Sequence, residues 1–270
     1  MTATMNIPMP RARSPHFPFD QVPRHWFGGA VSTHLANGVN LLFPAGERFF
    51  VRSVRHYMSV IESDPVLKEQ VRGFFGQEGR HAKAHADQVN ILEAQGFRVK
   101  TFLRVYEGIA YGFFERIMPP AARLSATVAC EHYTAIMAEN AFKMGLLDRA
   151  HPVMRDLLKW HAAEEIEHRS VAFDVLQKVN PSYALRMTGL AFTTVMLTSF
   201  WAAAAVLFLA QDGTSLEDIR KELKVVRAEQ PVGDRVFGRG IREYVRRDFH
   251  PSQNPNDGIA GDYLASAGLA

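Results

Sequence analysis

The sequence predicts an all-α fold, a four-helix bundle with additional helices. Three observations lead to it. Strand-like alternation is scarce, Gly and Pro breaks fall at long intervals, and acidic residues recur at helical spacing between those breaks. With 270 residues, 47% hydrophobic and 22% charged, the chain is able to bury a full core.

Residues 1–31 carry prolines and arginines but no apolar run of secretory-signal length, and read as an irregular, flexible leader. The bundle is expected over 32–212. Its first helix runs from about Ser32 to Glu62 and ends at Ser63-Asp64-Pro65, which also starts the second, since proline suits a first helical turn. That helix stops at Gly96. A connector, Phe97–Lys100, leads to a helix over Thr101–Ile117, broken by Pro119-Pro120. A third core helix covers about Ala121–Met144. A fourth follows the turn around Asp148 and ends at Asn180-Pro181. Met187–Ala210 is a fifth helix, free of charge over 24 residues. A helix apolar on all sides is buried in protein or in lipid, and both settings stay open here. Residues 213–270 read as a C-terminal extension, partly helical over Ser215–Arg247, and an irregular tail.

A net charge of +3 and no basic stripe interleaved with aromatics argue against nucleic acid as a partner. Cys130 is the single cysteine, which excludes an internal disulfide and a thiolate-rich metal site and suits a reducing, cytoplasmic compartment.

The chemistry lies in the acids. The midpoint between Glu47 and Glu78 falls on the Ser63-Asp64-Pro65 turn, and that between Glu131 and Glu165 is Asp148, inside the second turn. Two antiparallel hairpins would therefore bring four glutamates to one level. Glu78-x-x-His81 and Glu165-x-x-His168 add a histidine three residues on, along the same helix face. The expected metal ligands are Glu47, Glu78, His81, Glu131, Glu165 and His168, the donor set of di-iron carboxylate bundles. Four carboxylates neutralise two divalent cations, and two imidazoles supply nitrogen donors that iron, manganese or zinc accept. Glu47 and Glu131 also lie in apolar surroundings, where an unpaired carboxylate is costly.

The order Glu … Glu-x-x-His … Glu … Glu-x-x-His resembles that of the ribonucleotide reductase small subunit and of bacterial multicomponent monooxygenases, which implies a ferritin-like bundle. The passages HWFGGAVSTHLANGVNLLFPAGERFFVRSVRH, FFGQEGRHAKAHADQVN, CEHYTA, WHAAEEIEHRSVAFDV and FHP resemble a bacterial family named predicted metal-dependent hydrolase, over roughly residues 20–255.

Among the neighbours, Glu164 is placed to bond the outer nitrogen of His81, or else is an exposed helix acid; Glu167 is expected to be the exposed one. His85 completes an i, i+3, i+7 face with Glu78 and His81, as a further ligand or proton relay. Thr134 is three residues beyond Glu131, facing either the reacting side or the core. His132 and His161 read as packed or capping histidines. No mechanism is assigned to His250-Pro251.

The leading expectation is a di-iron oxidase or oxygenase: two iron ions activate dioxygen to oxidise a small, apolar substrate, with electrons from an external reductase. The alternatives are hydrolysis by a metal-activated water, with manganese or zinc, and ferroxidase or iron-binding work. Membrane association through Met187–Ala210 and a homodimer are open partner expectations.

Overall fold

The computed structural model describes residues 9–229, 231–254 and 256–270. Those residues are helical, with no strand among them. The expected first helix is three: α1 (Ala30–Asn40), α2 (Phe43–Arg55) and α3 (Met58–Ile61). Pro44 has no N–H to give to the α1 end, so the chain bends at Leu41-Leu42. Helix α4 (Pro65–Ala94) is capped by Asp64, whose side chain accepts from the Leu67 N–H at 3.1 Å. Next come α5 (Lys100–Glu107), a π-helical segment over Gly108–Phe114, and α6 (Glu115–Ile117). Helix α7 spans Pro120–Lys143. The expected fourth helix is broken after His168 into α8 (Pro152–His168) and α9 (Val171–Val179).

Helices α2, α4, α7 and α8 form the bundle, α2 against α4 and α7 against α8. One core cluster runs through it, with Phe50, Phe74, Leu124, Val128 and Val175 buried. The apolar helix, α10 (Tyr183–Asp212), is long and apolar enough to cross a membrane. It packs along α1 and α7, with only 22% of its most apolar window buried. Gly213, at φ 71°, closes it in the left-handed conformation that favours glycine. Both ends are tied down: Arg186 donates to the Arg246 carbonyl at 2.6 Å, and Gln211 accepts from the Arg98 N–H at 2.6 Å.

Then follow α11 (Leu216–Glu229), a second π-helical segment over Gly233–Gly238, α12 (Arg239–Tyr244) and α13 (Asp257–Ser266). The irregular tail is thus corrected: α13 buries Ala260 and Leu264 against Ala163 and Ile166 of α8. Buried Arg169 pairs with Asp257, so the tail clasps the chain just beyond His168. His250 donates from Nε2 to Asp174 over 2.8 Å and packs on Phe173, a structural position.

From residue 9 the leader is irregular as expected, apart from a 3₁₀ turn over Phe19–Gln21, but it is packed on the bundle; residues 1–8 lie outside the described residues. Arg13 pairs with Glu164 and Glu167 at 3.3 and 2.7 Å, and Phe17 packs on Trp160.

Asp212 joins the far end of α10 to the N-terminal segment. It accepts from Arg24 at 2.5 Å and lies 2.6 Å from His25 and 3.1 Å from buried His34. Burial alone would raise its pKa, but these three partners hold it well below its ordinary 3.8. Its stabilisation is therefore present above pH 3.8 and lost as pH falls towards the depressed value. Asp212→Asn is expected to cost about 2 kcal/mol near pH 7, a gap to wild type that narrows below pH 4 in urea unfolding.

Candidate metal centre

The hairpins place the six expected ligands on four helices at one level. Glu47 comes from α2, Glu78 and His81 from α4, Glu131 from α7, and Glu165 and His168 from α8; all are buried. Glu47, Glu78 and His81 have donor atoms within 4.8 Å of one another, as do Glu78, Glu131 and His168. Glu78 belongs to both groups. Glu165 Oε1 also lies between the histidines, 3.8 Å from His81 Nδ1 and 3.6 Å from His168 Nε2.

The inward atoms are those left without hydrogen bonds. Both carboxylate oxygens of Glu47, Glu78 and Glu131, Glu165 Oε2, His81 Nδ1 and His168 Nε2 lack a hydrogen-bond partner among the described residues. His168 Nε2 approaches Glu78 and Glu131 to 3.1 and 3.3 Å without hydrogen-bond geometry. Buried polar atoms are seldom left so, and donors converging on a common point fit a cation. The donor set therefore suits a pair of divalent metal ions.

The cluster is short of positive charge: burial would lower His168, but Glu165 and Glu131 hold it well above the ordinary imidazole range. Burial, then repulsion from the neighbouring glutamates, pushes Glu47 and Glu78 well above the carboxylate range. Burial lifts Glu131 to about 7, against the pull of His168. Burial would raise Glu165 too, but His168 and His161 hold it well below its ordinary value. Burial lowers His81, with His161 adding to the effect, and keeps it neutral as a ligand must be.

The outer nitrogens of both histidines are held. His81 Nε2 lies 2.9 Å from Glu164 Oε2, and His168 Nδ1 lies 2.9 Å from Gln77 Oε1. Gln77 is itself oriented by donating to Glu167 at 2.7 Å and to the Arg11 carbonyl at 3.2 Å. Both contacts fix the tautomer that turns the bare nitrogen inward. Sequence reasoning missed Gln77, although it precedes Glu78 as Glu164 precedes Glu165. Glu167, expected to be exposed, is held between Arg13 and Gln77. Removing either outer partner, by Gln77→Ala or Glu164→Ala, is expected to weaken metal binding about 10–100-fold in a chelator-competition titration.

His161 is the larger omission. Its Nε2 lies 2.9 Å from Glu165 and 3.6 Å from Glu47, and its Nδ1 is 2.6 Å from His85 Nε2. Its position four residues before Glu165 was the available signal. His85 and His161 also have donor atoms within 4.8 Å of one from Glu47, so both stand at the edge of the cluster, and burial pushes the His85 pKa well down. His132 points elsewhere, 3.0 Å from the Gly240 carbonyl, with burial lowering it to about 4. Thr134 donates to the Glu131 carbonyl at 3.1 Å.

One cavity reaches the centre and a second lies beside it. The larger, about 630 Å³, is lined by Phe43, Thr134, His161, Glu165, Trp201 and Phe237. The smaller, about 100 Å³, lies between α10 and the first π-helical segment and shares Phe43 and Thr134 with the larger. Glu164 lines neither.

Fold and site together define an all-α protein with a buried carboxylate–histidine cluster built to hold metal. The chain belongs to the family described as predicted metal-dependent hydrolase, which it matches over residues 11–255. No curated protein and no solved structure matches it.

Proposed function

We propose that the chain is a dinuclear metal enzyme that hydrolyses a small, apolar substrate. The observation that carries this reading is the set of unbonded inward atoms on six buried ligands, at the end of an apolar cavity. Membership of a metal-dependent hydrolase family favours hydrolysis over the oxygen activation that the ligand pattern alone put first. One ion would be held by Glu47 and His81 and the other by Glu131 and His168, with Glu78 and Glu165 between them. Bound in this way, two divalent ions lower the pKa of a water and polarise an ester or phosphoryl oxygen.

The chain's own residues do the rest. Glu164 and Gln77 keep the ligating nitrogens bare. His161 lines the cavity and carries a proton at Nε2 towards Glu165, and its Nδ1 exchanges with His85 over 2.6 Å. That pair forms a relay leading away from the cluster. The apolar lining, Phe43 and Trp201 included, excludes water and selects an apolar substrate.

Oxidation with dioxygen, iron and an external reductase is the second reading. What favours it is the donor set itself, four glutamates and two Glu-x-x-His histidines in a ferritin-like arrangement. The deciding experiment combines metal analysis of protein purified without added metal with acyl-ester hydrolysis assayed with and without air. Hydrolysis sustained anaerobically by zinc or manganese supports the first reading. Turnover that requires ferrous iron, reductant and dioxygen replaces it with the second, and a protein that binds no metal overturns both.

A further inference from the structure

Helix α10 has an outer face that none of the described residues covers. Ala184, Thr188, Ala191, Val195, Ala202 and Val206 are exposed along it at helical spacing, with no charge among them. The stripe is about 33 Å long at 1.5 Å per residue. Beside it, Val105, Ile109, Phe113 and Ile117 recur every fourth residue and are 51%, 41%, 55% and 61% exposed. The two elements touch through Tyr106–Phe200 and Phe114–Phe192, with ring centroids 4.9 and 5.2 Å apart. Half of the exposed large apolar side chains among the described residues lie on this pair.

The charge beside the patch is positive on balance. Residues 98–123 hold Arg98, Lys100, Arg104, Arg116 and Arg123 against Glu107 and Glu115, a net +3, as large as that of the whole chain. An apolar face edged with basic residues suits an anionic bilayer surface. A second copy would bring like charges together. Both ends of α10 are bonded into the bundle, which favours a helix lying on such a surface over one that leaves the fold to cross it.

The smaller cavity opens between these same elements, lined by Tyr106, Ala110, Tyr111, Phe192, Met196 and Phe200, and reaches Phe43 and Thr134. Phe43 and Thr134 also line the larger cavity, which extends to Glu165. The π-helical segment forms one wall, and such segments concentrate at functional sites. We propose that this face seats on an anionic lipid bilayer and that the substrate is a long-chain acyl ester whose chain is drawn from the bilayer through this gap, water cleaving its ester C–O bond to a carboxylate and an alcohol. The proposal rests on the metal-enzyme reading and adds the source and class of the substrate.

The test uses the full chain and sedimented vesicles of phosphatidylcholine, alone or with one third phosphatidylglycerol. Association is expected with the anionic vesicles, about tenfold weaker on neutral ones or at high salt. Phe113→Asp with Ile117→Asp, and separately Val195→Asp with Val206→Asp, are each expected to weaken it about tenfold; all four positions are exposed, so folding is kept. Lipid brominated at the chain end is expected to quench Trp201 behind the gap, with no such quenching in Trp201→Phe. No vesicle association, association unchanged in both variants, or a dimer closing this face overturns the docking. Association without quenching of Trp201 overturns the entry route. Metal content measured in parallel separates the two readings: vesicle binding by a chain without metal overturns only the metal centre, and metal without vesicle binding overturns only the docking.

Discussion

Replacing Glu131 with glutamine is expected to shift stability in opposite directions in the metal-free and metal-loaded protein. Without metal, the folded chain holds Glu131 at about 7 against an ordinary 4.5, because its carboxylate is buried among three others. The folded state therefore keeps a proton that the unfolded chain releases between those values. Stability falls as pH rises above 4.5, and the full cost, on the order of 3 kcal/mol, is reached above 7. Glutamine removes that cost, so chelator-treated Glu131→Gln is expected to be more stable than chelator-treated wild type at pH 8 and nearly equal to it at pH 5. With metal the sign reverses. A ligand that binds only the folded state adds about 4 kcal/mol at a thousandfold excess over its Kd, and the variant is expected to lose one ion of the pair with that stabilisation. Urea unfolding at pH 5 and 8, with and without chelator, beside metal analysis, reads all four states. A variant less stable than wild type in the chelated protein at pH 8 would falsify the account of the cluster as a set of charges waiting for a cation.

The convergence of the six buried residues was legible because two independent regularities coincided, the Glu-x-x-His spacing and the placing of each glutamate pair about a turn. His161 was less legible: a histidine four residues before a glutamate is common on any helix, and what distinguishes it is a contact to His85 across the bundle. Gln77 shows the limit of reading residues by type. Its amide does for His168 what the Glu164 carboxylate does for His81, and only the shared position before the motif betrays the equivalence. The helix break after His168 has no Pro or Gly to announce it; buried Arg169, clasped by Asp257 from far along the chain, sits at that point. Composition of α10 leaves its setting open between protein and lipid, and the structure resolves that into one face on α1 and α7 and another left bare.

The closeness of α10 to α7 depends on a missing side chain. A Cβ at Gly189 would meet the Ser125 side chain and stand 2.6 Å from its backbone oxygen and 2.7 Å from its carbonyl carbon. Backbone is unable to swing aside as a side chain would, so the two helices must separate. That separation also disturbs the bonds from Ser125 Oγ to the Leu185 carbonyl at 2.8 Å and from Thr193 to the Ala126 carbonyl at 3.0 Å. Gly189→Leu is therefore expected to cost about 3 kcal/mol or more, seen as a fall in Tm of roughly 6–12 °C for a chain of this size. Gly79 is the matched control: it is helical and exposed, and a Cβ there meets nothing within 4 Å. Gly79→Ala is expected to gain about 1 kcal/mol from the chain entropy and helix propensity that glycine lacks. If thermal unfolding showed the two substitutions to be equally mild, α10 would not be wedged into the bundle. It would then be free to leave the fold for a bilayer, and the separation drawn here between a helix that docks and a helix that spans would fail.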